Sequence, residues 1–313
     1  WDGEGGVLLS LGEGYECPSL PVWPAVSNGK PLAPVGSLAQ QPAAWDPVAR
    51  RKWQGENGVA AEVLYPTFAL TAVETAQTEE AAHHAAWRYN IWAALHFKAP
   101  HFWPVALAPA YDPIDLSAQL RGGFADGIGL LLPSQPAKGR WRDFEAVFAA
   151  AEELGVTIHW HAFSRPTPGS FGRHPLQVAW EAFRPAQDIL VELLCEGVLA
   201  RHPGLKVVFA ESDTQWLHHA MERLAYYGER YGKLVRFEGW DQMDDIVAHQ
   251  VSFVVPARES SETRTGPVLW GCDFPHADAD KVERDAWMVA WFNDQAVALY
   301  PRIGEALAQG KRE

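Results

Sequence analysis

The chain has few cysteines, and they are not clustered. Cys17, Cys195 and Cys272 lie far apart among 313 residues and form no CxxC pair. An odd number of widely spaced cysteines argues against a disulfide framework and fits a reducing compartment. We therefore expect a cytoplasmic protein.

Long apolar runs and basic clusters are also missing. No run reaches the roughly 18 to 20 apolar residues that a membrane span needs. The chain has 26 lysines and arginines against 39 acidic residues, a formal net charge of −13, and the basic residues form no cluster. These features argue against nucleic acid and membranes as partners. A small-molecule substrate fits better, and 48% hydrophobic residues allow a large core.

Several catalytic motifs are absent as well. The sequence contains no GxxxxGK[ST] loop, no GxGxxG after a strand, no GxSxG elbow and no HExxH helix. The adjacent pairs His83-His84 and His218-His219 fall on predicted helices, where neighbouring side chains diverge by about 100°. Neither pair can bind one metal ion in the way that two histidines at positions i and i+2 of a strand can.

The first part of the chain differs from the rest. Residues 1–45 are dense in glycine and proline and show no sustained period, which is typical of irregular structure. We expect this segment to pack on a catalytic domain formed by residues 46–313.

From residue 46 onward, short apolar strands alternate with helical segments. The sequence predicts helices at about 46–57, 79–98, from 115, 140–154, 176–200, 214–231 and 281–308. The sequence predicts seven strands, at 59–66, 102–109, 127–133, 156–163, 205–212, 251–255 and 267–274. Strands that are apolar on both faces and separated by helices indicate parallel β/α units. The prediction is an α/β fold, a (β/α)8 TIM barrel.

A closed barrel of this type needs eight strands, so one is missing from the count. The regular pattern begins only after a long irregular segment, which places the missing strand first. The seven predicted strands are therefore numbered two to eight, so that 156–163 is strand five, 205–212 strand six and 267–274 strand eight. It lies either at Val7 to Leu11 or upstream of Trp1. We favour the upstream position, because the chain begins with Trp rather than Met.

Two predicted strands end in residue types that commonly bind metal ions in proteins. Val268 to His276 reads as an apolar strand that ends in Asp273 and His276, and Gly155 to His161 ends in a histidine. Because parallel strands end at the same edge, the imidazole and the carboxylate can meet around a cation. The alternative is that Asp273 only caps a helix or forms a turn.

Several phrases together resemble a known family. They are Asp46-Pro with Arg50, Glu62 to Pro66, Leu154-Gly-Val with His161, His202 to Ser212 with Trp216, and Leu269 to His276. The set resembles the amidohydrolase-2 family, which includes aminocarboxymuconate-semialdehyde decarboxylase-like enzymes, and the similarity spans about residues 46 to 300. It implies a distorted TIM barrel with one divalent metal, usually zinc and sometimes manganese. It also implies a homodimer or homotetramer.

The resemblance assigns metal ligands only where residues match. The strand-five histidine of the family falls on His161, and the strand-eight aspartate on Asp273. The family's first-strand His-x-His pair has no counterpart, because no histidine occurs before residue 59. A first strand upstream of Trp1 would supply that pair. Within the chain, His159 and His161 point the same way, and we expect His161 to be the ligand and His159 to lie one layer deeper, hydrogen-bonded.

Glu211 occupies the end of strand six, where decarboxylase-like members of the family have a histidine. Its carboxylate can bind the metal, accept a proton from bound water, or orient a neighbouring histidine. The alternative is a buried glutamate satisfied by backbone amides or an arginine.

The remaining site residues follow from the barrel geometry and the resemblance. Asp273 would shuttle a proton, and His276 would polarise or protonate the substrate unless it only bonds backbone. Trp216, in the segment after strand six, and Arg165 or Arg173, after strand five, fit an aromatic or hydrophobic organic acid. The arginines can equally be surface residues. Trp160 alternates with His161 and should face the helices.

The sequence as a whole favours a metal-dependent hydrolase. It would use metal-activated water on a C–N, ester, thioester or C–C bond of a small organic acid. The first alternative is a non-oxidative, metal-dependent decarboxylase. The second is a metal-free barrel that serves as a binding protein.

Overall fold

A computed structural model gives the fold of the chain. It describes residues 26–27, 30–31, 42–66, 68–124, 128–162, 180–181, 184–235, 239–255, 268–272, 274 and 286–310. Most of the predicted N-terminal segment lies outside the described residues. Within it, β1 (Val26–Ser27) pairs antiparallel with β2 (Lys30–Pro31).

The other described strands all pair in parallel. They are β3 (Glu62–Leu64), β4 (Phe102–Pro104), β5 (Ala106–Leu107), β6 (Gly129–Leu131), β7 (Thr157–His161), β8 (Val207–Ala210), β9 (Val251–Val255) and β10 (Val268–Trp270). β3 pairs with β4, and β5 to β10 form one sheet in sequence order. β4 and β5 together correspond to one predicted strand, 102–109, which is interrupted at Val105. The Val105 N–H donates to the Leu64 carbonyl at 2.9 Å. The seven predicted parallel strands are thereby confirmed, and their carboxyl ends share one edge.

Helices separate most of these strands. They are α1 (Pro47–Asn57), α2 (Phe68–Thr75), α3 (Glu79–His96), α4 (Pro113–Arg121), α5 (Glu145–Leu154), α6 (Arg184–Cys195), α7 (Val198–Arg201), α8 (Gln215–Val235), α9 (Met243–Gln250), α10 (Ala286–Leu299) and α11 (Pro301–Gly310). The sequence did not predict α2 or α9, and it predicted one continuous helix where Pro301 separates α10 from α11.

The helix ends follow local sequence chemistry. The Asp46 carboxylate accepts a hydrogen bond from the Val48 N–H at 2.9 Å, and Pro47 occupies the first turn of α1. Gly155 ends α5 with φ 65°, a left-handed conformation that glycine adopts without strain. That turn leads the chain directly into β7.

The two faces of the sheet pack against different layers. Ile158 and Trp160 belong to a core cluster shared with α5, α6, α8 and α9. The Trp160 ring meets Trp141 edge to face at 5.3 Å between centroids, which confirms that Trp160 faces the helices. Leu131 and Tyr300 belong to a second cluster on the other face. His159 and His161 alternate with Trp160 and lie on that inner face.

No helix among the described residues combines the length and the apolar character that crossing a membrane requires.

Candidate active site

Two of the predicted site residues meet at the carboxyl edge of the sheet. His161 is the last residue of β7 and pairs with Ala210, the last residue of β8, so Glu211 follows immediately beside it. His161 Nε2 lies 3.3 Å from Glu211 Oε1, with the side chains 14% and 25% exposed. The two strand ends thus place an imidazole and a carboxylate together within reach of solvent.

The orientation of the His161 ring is fixed on its other side. Its Nδ1 lies 2.7 Å from the carbonyl oxygen of Ala162. A carbonyl oxygen only accepts, so Nδ1 carries the hydrogen of this bond. In the neutral ring Nε2 then holds the lone pair, the arrangement typical of a metal-binding histidine.

The separation of Nε2 from the carboxylate fits a shared cation. A neutral Nε2 and a carboxylate oxygen are both acceptors, so a proton or a cation between them makes the contact favourable. A tetrahedral metal ion with bonds of about 2.0 to 2.1 Å holds two ligand atoms about 3.3 Å apart. The observed 3.3 Å between Nε2 and Oε1 agrees with that spacing.

The turn after β8 brings Glu211 to this position. Glu211 has φ 52° and Asp213 has φ 57°, left-handed conformations that are uncommon for residues other than glycine. The Glu211 N–H donates to the Val254 carbonyl of β9 at 3.0 Å, which holds the strained backbone in place. Strain of this kind clusters at functional sites.

A tyrosine that sequence reasoning did not single out completes the inner face. Tyr65 follows β3, and its hydroxyl lies 2.7 Å from His159 Nδ1. Its ring centroid is 5.3 Å from that of His161, tilted by 54°. Burial raises the pKa of Tyr65, and the charge of Glu211 raises it further. The one available signal was its place at the end of a predicted strand.

His159 lies deeper, as the sequence predicted. It is fully buried, and burial lowers its pKa to about 3, so the ring is neutral. Its hydrogen bond to Tyr65 confirms the expectation of a bonded histidine below the mouth. His161 is the more exposed of the two, which agrees with its proposed role as the ligand.

A buried ion pair ties α1 to β3, and the same arginine also bonds the segment that follows β10. Arg50 Nη2 lies 2.7 Å from Glu62 Oε1, and Arg50 Nη1 donates to the Phe274 carbonyl at 3.2 Å. The ring of Trp53 stacks on Phe274 at 4.2 Å and 11°. The sequence suggested no role for Arg50 or Trp53, yet both hold the residue that follows Asp273.

The other predicted site residues are placed differently. Asp273, His276 and Arg165, like Arg173, lie outside the described residues. The Trp216 indole N–H donates to the Ser212 carbonyl at 2.9 Å, and its ring meets Phe253 of the helix-facing core. A substrate contact by Trp216 therefore stays a prediction, and the indole nitrogen already has a partner.

The donors that the structure brings together fit a divalent cation. Among the described residues no three His, Cys, Asp or Glu side chains are grouped closely enough to hold a metal ion. His161 and Glu211 supply one imidazole nitrogen and carboxylate oxygen, the ligands that zinc and manganese accept. The predicted third ligand, Asp273, stays a prediction.

Comparison with known proteins decides the family. A protein-family model described as amidohydrolase matches residues 42–308, most of the chain. The chain belongs to the amidohydrolase family. The resemblance of the quoted phrases is thereby confirmed. No curated protein matches the sequence.

The solved structures that are similar to this amidohydrolase include the following three. An amidohydrolase from Mycobacterium avium subsp. paratuberculosis is 18% identical, with a TM-score of 0.69 over 88% of this chain and 80% of that one. A 5-carboxyvanillate decarboxylase from Sphingomonas paucimobilis is 18% identical, with a TM-score of 0.61 over 80% of this chain and 82% of that one. A 5-carboxyvanillate decarboxylase from Novosphingobium aromaticivorans, complexed with manganese and 4-hydroxy-3-methoxy-5-nitrobenzoic acid, is 16% identical, with a TM-score of 0.62 over 80% of this chain and 79% of that one.

At this identity the structural likeness shows the fold alone. The parallel strands, their helices and the family assignment confirm the predicted α/β fold of the TIM-barrel type. The family assignment also makes the protein a metal-dependent enzyme of the amidohydrolase type, as the sequence predicted.

Proposed function

We propose that this amidohydrolase is a metal-dependent, non-oxidative decarboxylase of a small aromatic carboxylic acid. The metal dependence in this proposal is carried by the contact of His161 Nε2 with Glu211 Oε1 at 3.3 Å, at the edge where a TIM barrel holds its site. The likeness to two decarboxylases of an aromatic acid supports this reaction over the hydrolysis that the sequence favoured.

The metal would be held by His161, Glu211 and Asp273. Zinc and manganese both suit this mixture of imidazole and carboxylates, and one of the similar decarboxylases is complexed with manganese. A bound divalent cation supplies a positive charge that polarises an oxygen of the substrate or acidifies bound water.

The chain's own groups orient the acid and move the proton. Decarboxylation breaks the bond between the carboxylate carbon and the ring, and the ring carbon that keeps the electron pair takes up one proton. Asp273 delivers that proton in our proposal, with His276, three positions further on in the sequence, as the second donor. Arg165 pairs with an anionic group of the substrate, and the Trp216 ring lines the pocket.

Hydrolysis is the second candidate, and Glu211 is the residue that favours it. A carboxylate stands here where decarboxylase-like relatives are expected to have an imidazole. A carboxylate beside a metal ligand accepts a proton from water, which is the step a hydrolase needs. The substrate would then be an amide, ester, thioester or cleavable C–C compound of an organic acid.

Two measurements separate these functions. The full-length protein is purified, its zinc and manganese content is determined by elemental analysis, and CO2 release is measured from a panel of hydroxylated benzoic acids. Incorporation of 18O from labelled water into the products of matched amides and esters is measured in parallel. We expect stoichiometric metal and CO2 release without 18O incorporation.

Matched variants make the test specific. His161→Ala should lose the metal and the activity, whereas His218→Ala, at a 72% exposed position of α8, should keep both. Incorporation of 18O without CO2 release would replace decarboxylation by hydrolysis. A parent protein that contains no metal and binds none would support the metal-free binding barrel instead.

The proposal extends to location and assembly. We propose a cytoplasmic enzyme that acts on a small molecule, without nucleic acid or membrane as a partner, in keeping with its net charge of −13. We also propose a homodimer or homotetramer, which light scattering coupled to size-exclusion chromatography tests directly.

A further inference from the structure

A pair of polar side chains lies directly beneath His161, and neither belongs to the proposed metal ligands. The hydroxyl of Tyr65 and Nδ1 of His159 are 2.7 Å apart, and they join the end of β3 to the middle of β7. His159 has no exposed surface. Each group therefore depends on the other for its hydrogen bond at this position.

The packing around His159 gives its ring little freedom to move. On one side lies Gly129 of β6, where a Cβ atom would come within 2.3 Å of His159 Nε2 and 2.5 Å of Cδ2. On the other side the Tyr300 ring runs nearly parallel to the imidazole, at 8° and 6.2 Å between centroids. Only glycine at position 129 leaves room for the imidazole, so Nδ1 is a fixed anchor for the Tyr65 hydroxyl.

The anchored tyrosine in turn contacts the site. Its ring lies 5.3 Å from the His161 ring, tilted by 54°. On its far side His161 is held by the bond from Nδ1 to the Ala162 carbonyl at 2.7 Å, and its Nε2 lies 3.3 Å from Glu211 Oε1. Displacing the Tyr65 ring would open space into which the His161 ring can turn.

We propose that Tyr65 and His159 are positioning residues that hold the His161 imidazole with Nε2 facing Glu211. Tyr65 acts through its ring, and His159 acts by fixing the Tyr65 hydroxyl. The inference rests on the proposed function only in that Nε2 of His161 is taken to bind the metal. It assigns the buried histidine of the His-x-His sequence a role different from that of its neighbour.

A purely structural role for the pair makes a different prediction. In that case removing the Tyr65 hydroxyl lowers thermal stability and leaves metal affinity and the His161 tautomer unchanged. The positioning role predicts a change in both of these local properties, beyond any loss of stability. Groups that orient a metal ligand typically contribute 10- to 100-fold to metal affinity.

The experiment compares two Tyr→Phe variants in the full chain. Tyr65→Phe removes the hydroxyl that binds His159, and Tyr300→Phe removes a buried hydroxyl from a ring against the same imidazole. Binding of Mn2+ and of Zn2+ to the metal-free proteins is measured by calorimetry. We expect Tyr65→Phe to weaken binding about 10- to 100-fold, and Tyr300→Phe to stay within about two-fold of the parent.

Substitutions of His159 provide a second arm. His159→Leu removes the hydrogen-bond partner of the Tyr65 hydroxyl and should weaken metal binding as much as Tyr65→Phe does. His159→Asn keeps a polar atom near the position of Nδ1 and should restore most of the affinity. Because the pair acts as one unit, the double variant Tyr65→Phe/His159→Leu should bind metal no more weakly than either single variant does.

A readout without metal keeps the two proposals separable. The tautomer of His161 is read from 1H–15N correlation spectra of the metal-free parent and of each folded variant. We expect the Nδ1–H form in the parent and a mixture of forms in Tyr65→Phe. If the parent binds neither metal, the proposed function fails, and the spectra still decide the positioning role. Parent-like spectra and parent-like affinity in Tyr65→Phe and in His159→Leu would overturn the inference.

Discussion

At the scale of single residues, the buried ion pair between Arg50 and Glu62 should be sensitive to the loss of one partner. Both side chains are only 10% exposed, and their nearest N–O distance is 2.7 Å. Gln54 Nε2 also donates to Glu62 Oε2 at 2.8 Å. Removing one partner of a buried pair leaves the other charge desolvated, which costs about 3 to 5 kcal/mol. We therefore predict that Glu62→Ala lowers the free energy of unfolding by about that amount, as measured by urea titration.

Two controls test the explanation, one of them an exposed pair on α1. Lys52 and Glu56 form a pair with side chains 77% and 62% exposed, and Glu56→Ala should change stability by less than about 1 kcal/mol. The double variant Arg50→Met/Glu62→Leu should be more stable than Glu62→Ala, because no unpaired charge remains buried. A Glu62→Ala protein as stable as Glu56→Ala would contradict this account.

Only some of the residues of the candidate site could be predicted from the sequence. His159 and His161 could be assigned to different depths because side chains on a strand alternate with period two and barrel layers follow from that period. The role of Tyr65 could not, because its partner His159 is 94 positions away and the contact depends on how β3 and β7 face each other. The left-handed turn at Glu211 was equally hidden, since glutamate rarely adopts φ near 52°.

At the scale of elements, α5 and the end of α7 are joined by a charged cluster that should respond to acid. Arg201 Nε donates to Glu145 Oε1 at 2.9 Å, and His202 Nε2 lies 2.9 Å from the same oxygen. The hydrogen bond from Arg201 holds the pKa of Glu145 below its ordinary value of 4.5. A carboxyl group with a lowered pKa in the folded protein stabilises it above about pH 4.5, and this contribution disappears as the pH falls through the folded-state pKa.

We predict that Glu145→Gln loses stability only where the carboxylate is ionised. At pH 7 the variant should be about 0.2 to 1 kcal/mol less stable than the parent, a small value because the Glu145 side chain is 43% exposed and screened by solvent. Below the folded-state pKa the two proteins should be equally stable. Urea titrations between pH 3 and 7 measure the difference, and Arg201→Gln should flatten it in the same way. A gap that persists undiminished at pH 3 would argue against this cause.

Element length explains which helices the sequence predicted. α1, α3 and α8 have 11, 18 and 21 residues, and enough turns for an apolar stripe or clear end signals. The helices that were missed, α2 and α9, have eight residues each. Two turns carry too few apolar positions to distinguish a helix from the loops of similar composition around it. Strands were predicted well because burial on both faces gives continuous apolar runs.

At the scale of the whole molecule, the fold and the family could be predicted and the reaction could not. The order of seven parallel strands follows from local patterns repeated along the chain, and the family follows from phrases at several strand ends. The same barrel fold can support hydrolysis or decarboxylation, because the reaction is determined by the substrate and by where a proton is delivered. That information lies in a few side chains at the edge of the sheet rather than in the pattern of elements.

The same geometry makes the whole fold sensitive to the metal. His161 ends β7, and Glu211 follows the neighbouring strand β8. An ion that is bound by both side chains therefore binds the folded chain and not the unfolded one. At a metal concentration 100 times the dissociation constant, such binding adds about 2.7 kcal/mol to the free energy of unfolding. For a chain of this size we predict that removing the metal with EDTA lowers the melting temperature by on the order of 5 °C, and that Mn2+ or Zn2+ restores it. His161→Ala should melt at one temperature with or without metal, whereas His218→Ala should shift like the parent. If neither EDTA nor added metal changes the melting temperature of the parent protein, then the two strand ends share no cation.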